Sequence, residues 1–290
     1  MAMNDGIEVV TAAGAELGEG PVWDARSGRL AWVDITARLL HLTDPDGATD
    51  TIDVPLPVGA VAPRAAGGYV AALQDGFWVI GDGPARRIAA IPDARPGLRC
   101  NDGKCDPAGR FWAGTMADDQ APGAGALYRL DPDGRVTRVL GGITVSNGLA
   151  WSRDGRTMYY VDTPTQRVDA FSYDPATGEV GDRRPEVTVP PEAGAPDGMT
   201  IDADGGLWVA LWGGAAVHRY VDGRLERVVE LPVSQPTSCC FGGDNLDELY
   251  VTSARQGLSA GQLRAEPLAG ALFRFRPGVR GFAAAVFAGV

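Results

Sequence analysis

Apolar residues in this chain come in short runs bounded by Gly- or Asp-rich turns, as in Leu30-Ala-Trp-Val, Phe111-Trp-Ala-Gly, Met158-Tyr-Tyr-Val and Leu207-Trp-Val-Ala. Runs this short, rich in aromatic and β-branched residues, predict strands. Helix-favouring stretches are scarce. Turns such as Asp44-Pro-Asp-Gly, Asp131-Pro-Asp-Gly and Asp204-Gly predict tight hairpins, because Gly accepts positive φ and Asp hydrogen-bonds its own backbone.

The strand pattern repeats. A polar residue heads each of several similar segments: Glu19 before Gly-Pro-Val-Trp, Asn101 before Asp-Gly-Lys-Cys-Asp, Asn147 before Gly-Leu-Ala-Trp-Ser, and Asp197 before Gly-Met-Thr-Ile-Asp. Asp24, Asp106, Ser152 and Asp202 each follow five residues later. With Gly59 and Ser238 as weaker heads, the intervals are 40, 42, 46, 50 and 41 residues. A period of that size made of strands and turns marks a β-propeller blade. The segment from Asn147 reads as four strands, and six such units fill the chain. The expectation is an all-β, six-bladed β-propeller of four-stranded antiparallel blades around a central channel, forming one domain over residues 1–290. Closure requires the end blades to be joined. Ile7-Glu-Val-Val is expected to supply an outer strand to the last blade, with Phe282-Ala-Ala-Ala-Val-Phe beside it.

In a propeller the innermost strands line the channel, so Glu19, Asn101, Asn147 and Asp197 are expected to meet at one mouth. Two carboxylates and two amides form an all-oxygen set suited to Ca²⁺, Mg²⁺ or Mn²⁺. The Asp-x-Asp-Gly turns are not EF-hand loops, since the twelfth position is Pro55, Gly142 or Gly213 instead of Glu. No G-x-S-x-G elbow occurs. The two histidines, His41 and His218, fall on third strands away from the channel, so any general base is a carboxylate.

Composition narrows the partners. The net charge of −11 and the lack of a basic run exclude nucleic acid and disfavour anionic lipid. Only one of the 26 basic residues is lysine, and Lys104 lies within a segment head. Cys100, Cys105, Cys239 and Cys240 show no redox or zinc spacing. Residues 1–6 do not read as a signal peptide, and no apolar run reaches membrane-spanning length. A cytoplasmic monomer is the expectation.

The strings Leu17-Gly-Glu-Gly-Pro-Val-Trp, Arg99-Cys-Asn-Asp-Gly-Lys, Gly114-Thr-Met-Ala, Ser146-Asn-Gly-Leu-Ala-Trp-Ser, Pro196-Asp-Gly-Met, Thr237-Ser-Cys-Cys-Phe-Gly-Gly and Leu249-Tyr-Val-Thr-Ser-Ala-Arg resemble the SMP-30/gluconolactonase/luciferin-regenerating family, in its order and spacing, over residues 16–289. The resemblance implies one divalent metal held by Glu19, Asn147 and Asp197, with Ca²⁺ foremost and Zn²⁺, Mn²⁺ or Mg²⁺ as alternatives. It also implies a sugar lactone held by Arg99, Asn101 and the acidic residue Asp119, which is shorter than the Glu such sequences carry. Trp212 stands where a smaller aromatic is expected. The implied reaction is hydrolysis of an aldono-lactone with Asp197 as general base. Phosphotriester hydrolysis on the same fold, non-catalytic calcium binding and a bare binding scaffold are the rival readings.

Overall fold

A computed structural model describes residues 6–289; residues 1–5, on which the signal-peptide reading falls, lie outside them. The strands form six four-stranded antiparallel sheets. Their inner strands are Gly18–Asp24, Val58–Pro63, Leu98–Cys105, Ser146–Trp151, Ala195–Ile201 and Pro236–Gly242. Five blades are built from consecutive strands. The sixth takes its outer strand, Glu8–Thr11, from the N-terminal end, paired with Leu272–Phe275 through Glu8↔Arg274 and Val9↔Phe273. An Arg274–Glu8 ion pair of 2.7 Å reinforces this closure. Among the described residues no helix is long and apolar enough to cross a membrane.

Every inner strand carries an irregularity near its start. The register shifts between Glu19 and Val22, Val58 and Ala60, Cys100 and Gly103, Asn147 and Leu149, Pro196 and Met199, and Pro236 and Ser238. A bulge of this kind re-aims side chains that regular pleating would send between blades. Glycine beside the bulge lets neighbouring blades close in. A Cβ on Gly148 would lie 2.8 Å from the Asp197 carbonyl, and one on Gly198 would collide with the Ser238 side chain.

The acidic residues five positions after the heads tie strands together within a blade and, for Asp24 and Asp106, from one blade to the next. Asp106 accepts the Trp112 indole N–H at 2.9 Å and, from the next blade, the Tyr173 hydroxyl. Asp202 accepts Trp208 Nε1 at 2.8 Å and Arg219 Nε at 2.7 Å. Asp24 accepts the Tyr69 hydroxyl of the second blade at 3.2 Å. Trp112 and Trp208 are wholly buried, and burying such a side chain stabilises the fold by about 2–3 kcal/mol. His41 stacks on Trp32 and His218 faces the Tyr220 hydroxyl, both on third strands as expected.

One expectation is corrected. Phe282-Ala-Ala-Ala-Val-Phe does not sit beside the outer strand of the last blade; it crosses the channel at the mouth opposite the heads. The strap is tied at one end by Ala203 N–H to the Arg280 carbonyl (2.7 Å) and Gly281 N–H to the Leu246 carbonyl (2.8 Å). At the other end Phe287 exchanges backbone hydrogen bonds with Pro63 and Ala65, and Ala288 donates to Gly109. The outer edge is already taken by Glu8–Thr11. Phe287, by contrast, finds a fully apolar seat with Phe77, Phe111 and Tyr128 between the second and third blades.

Candidate functional site

The four strong heads do meet at one mouth. Glu19, Asn101, Asn147 and Asp197 are each 3–5 % exposed. Asn101 Nδ2 donates to Asn147 Oδ1 at 3.0 Å and to the Ser146 carbonyl at 2.9 Å. Asn147 Nδ2 donates to Thr163 Oγ1 at 2.7 Å, and Thr163 donates to the Pro196 carbonyl at 2.8 Å, one residue before Asp197. This chain turns the Asn147 oxygen toward Asn101 and links the third, fourth and fifth blades. The Asn101 oxygen faces the other way and accepts Arg99 Nη1 at 2.6 Å. Asn101 therefore orients Asn147 and Arg99, while its own oxygen is engaged.

The carboxylates are poorly compensated. Among the described residues, Glu19 Oε2 accepts the adjacent Gly20 N–H alone, at 3.0 Å. Burial first, then the charges of Asp197 and Asp102, hold the Glu19 carboxyl well above its usual range. Burial and the Asp102 charge do the same to Asp197, against the Gly198 N–H and Arg99. Arg99 is itself drawn downward by burial, opposed by Asp118, Glu19 and Asp197. Two buried carboxylates beside one oriented amide oxygen, with Arg99 near them, form a donor set that fits a hard cation. Among the described residues no group of three His, Cys, Asp or Glu side chains is arranged to hold a metal. An ion here would therefore complete its shell with the amide and water.

The remaining residues named from sequence divide. Arg99 lies on the rim, its Nε 3.8 Å from Asp118. Asp119 is exposed and its carboxylate accepts the Ala121 N–H at 3.0 Å, closing its own turn. The acid that faces Arg99 is thus Asp118. Trp212, paired with Ala195 at the same mouth, is half-buried against the apolar cluster that includes Leu17, Ile35 and Ala254. Thr163 and Asp118 had not been singled out. Both directly follow second strands that return to the head mouth, a position shared across the repeat that could have flagged them.

Beneath the ring, toward the strap, lies a cavity of about 280 Å³ bordered by Asp102, Lys104, Ala150, Thr200, Ser238 and Phe282. The channel is thus divided into a polar mouth, an interior chamber and a strapped far end.

A closed six-bladed propeller with buried carboxylates and amides from four blades at one mouth defines the class: a channel-mouth-site propeller. Within that class the family is specific. Residues 17–255 match the model of the SMP-30/Gluconolactonase/LRE-like region, and the chain belongs to that family. It is 41 % identical to human regucalcin over 294 residues, covering 98 % of each chain. It is 38 % identical to a putative sugar lactone lactonase of Bacillus subtilis over 280 residues, covering 95 % of this chain and 96 % of that one. Among solved structures, a calcium-binding protein described as regucalcin from Agrobacterium tumefaciens superposes with a TM-score of 0.92 at 32 % identity over 99 % of both chains. A luciferin-regenerating enzyme gives 0.91 at 34 % identity over 98 % of this chain and 100 % of that one.

Proposed function

We propose that the protein is a divalent-cation-dependent lactonase that opens an aldono-lactone to the aldonic acid. The observation that carries this reading is the ring: two buried, poorly compensated carboxylates, Glu19 and Asp197, beside the oriented Asn147 amide. Family membership and the similarity to a putative sugar lactone lactonase support it. Glu19, Asn147 and Asp197 would hold the cation, with Ca²⁺ the first choice for an all-oxygen set. When bound, it supplies Lewis acidity toward the lactone carbonyl oxygen.

The chain's own residues supply the rest. Arg99 presents a planar fork of N–H donors at the rim, suited to sugar hydroxyls and to the product carboxylate. Asp118 restrains that fork, and Asn101 fixes it from below. Asp119, on the adjacent turn, reaches substrate only by releasing its Ala121 hydrogen bond. Asp197 takes the proton of the attacking water, as a buried carboxylate at the channel mouth can. Water oxygen bonds to the carbonyl carbon, the ring C–O bond breaks, and the departing ring oxygen receives a proton. Trp212 walls one side of the site with an apolar surface.

A pH-indicator assay of lactone opening tests this reading, run over a panel of sugar lactones on chelator-treated protein with each divalent cation restored in turn. Cation-restored turnover is the expected result. Binding of cation without turnover on any lactone would overturn it. Phosphotriesters added to the same panel then separate hydrolysis of phosphoryl substrates from a purely calcium-binding role.

A further inference from the structure

Asp102 and Lys104 lie two residues apart on the third blade's inner strand, and both border the chamber under the ring. Lys104 Nζ crosses the channel and donates to the Met199 carbonyl of the fifth blade at 2.7 Å, two residues beyond Asp197. Its ammonium is thereby fixed one step below the Asp197 side of the ring. Asp102, 4 % exposed, directly follows Asn101 and accepts the Gly103 N–H at 2.6 Å. The lone lysine of the chain and a third buried carboxylate thus form a second charged tier, beneath the first and aligned with it.

We propose that this tier sets how tightly the ring holds a divalent cation, the Asp102 carboxylate strengthening the hold and the Lys104 ammonium weakening it. The inference rests on the cation-binding reading of the ring and not on the lactone reaction. Charges buried within a protein interact far more strongly than on a wetted surface. Neither group has to touch the ion to act on it. With the Asp102 carboxylate beneath it and no ammonium, the ring would hold a cation more firmly than with the pair, and with the ammonium alone less firmly. A purely structural strut would behave differently, because losing it could only loosen the site.

Isothermal titration of the full, chelator-treated protein with Ca²⁺ and with Mn²⁺ separates these cases by sign. Asp102→Asn is expected to raise Kd about tenfold or more, Lys104→Met to lower it by a similar factor, and the double variant to return near the parent. Lys104→Arg, which keeps the charge, is expected to bind as the parent does. Lys104→Gln serves in place of Lys104→Met should the latter not fold. Weaker or unchanged binding in the neutral Lys104 variants overturns the proposal, as does unchanged binding in Asp102→Asn. A parent protein that binds neither cation overturns both the ring reading and this inference. One that binds cation but opens no lactone leaves this inference standing and defeats only the lactonase.

Discussion

The two mouths of the channel use the same residue type for opposite ends. At the far mouth Asp24 and Asp202 are buried, which by itself would raise them. Arg26 and Tyr69 outweigh burial at Asp24, and Arg219, Trp208 and Gly206 do so at Asp202, so both carboxyls sit below their usual range. At the head mouth burial and neighbouring carboxylates win, and Glu19 and Asp197 sit well above theirs. Each pair belongs to the same repeat, five residues apart. What separates them is what packs against each carboxylate: Arg26 and the Tyr69 hydroxyl at Asp24, Arg219 and the Trp208 indole N–H at Asp202, but other carboxylates at Glu19 and Asp197. Carboxylates satisfied within the protein become struts, and carboxylates left unsatisfied become a site.

Exchanging the fates of the two mouths should give the largest effects. Asp197→Ala is expected to lower cation-dependent turnover by about 10³-fold or more, with circular dichroism and Tm close to the parent. Retention of parental turnover would remove Asp197 from both of its assigned roles. Asp202→Ala should do the reverse. It leaves the Trp208 indole without its acceptor and Arg219 with the more exposed Glu226 as carboxylate partner, so denaturant unfolding should show a loss of about 3 kcal/mol. The ring chemistry, at the other end of the strand, should be kept in whatever fraction remains folded.

Acidity sharpens the contrast. Without cation, folded Glu19 and Asp197 keep protons at pH values where the unfolded chain has lost them. The stability of the chelated protein should therefore decline as pH rises from the ordinary carboxylate range toward these raised values. The far-mouth acids work the other way: their contribution is complete above the ordinary range and is lost as pH falls through their depressed values. Melting curves from about pH 5 to about pH 8, with chelator and with saturating Ca²⁺, test this. The stabilisation by cation should grow with pH; a constant increment would mean the ring carboxylates are not the ligands.

The smallest expected effect concerns the rim. Asp118→Asn should raise KM for a turned-over lactone by about three- to tenfold, a loss of about 1 kcal/mol of Arg99 positioning. Asp119→Asn should change it by less than about twofold if the Ala121 turn persists in the complex. A larger effect at Asp119 would show that its side chain leaves the turn to meet substrate.

The sequence alone revealed the repeat, because a strand-turn unit of constant architecture needs turn residues at constant offsets. That was enough to give six blades, the outer strand lent by Glu8–Thr11 and the meeting of Glu19, Asn101, Asn147 and Asp197. It could not reveal orientation. Whether the Asn101 oxygen joins the ring or faces Arg99 depends on a bulge and on hydrogen bonds to partners in other blades. Nor could it place the irregular C-terminal strap, which follows no period and is positioned by the seat of Phe287 between the second and third blades, far from it in sequence. The tiering of Asp102 and Lys104 beneath the ring was equally hidden, since Lys104 finds its partner 95 residues away across the channel. Periodic local signals determine which residues come near one another. The direction in which each polar atom points is decided only by the packed neighbours that compete for it.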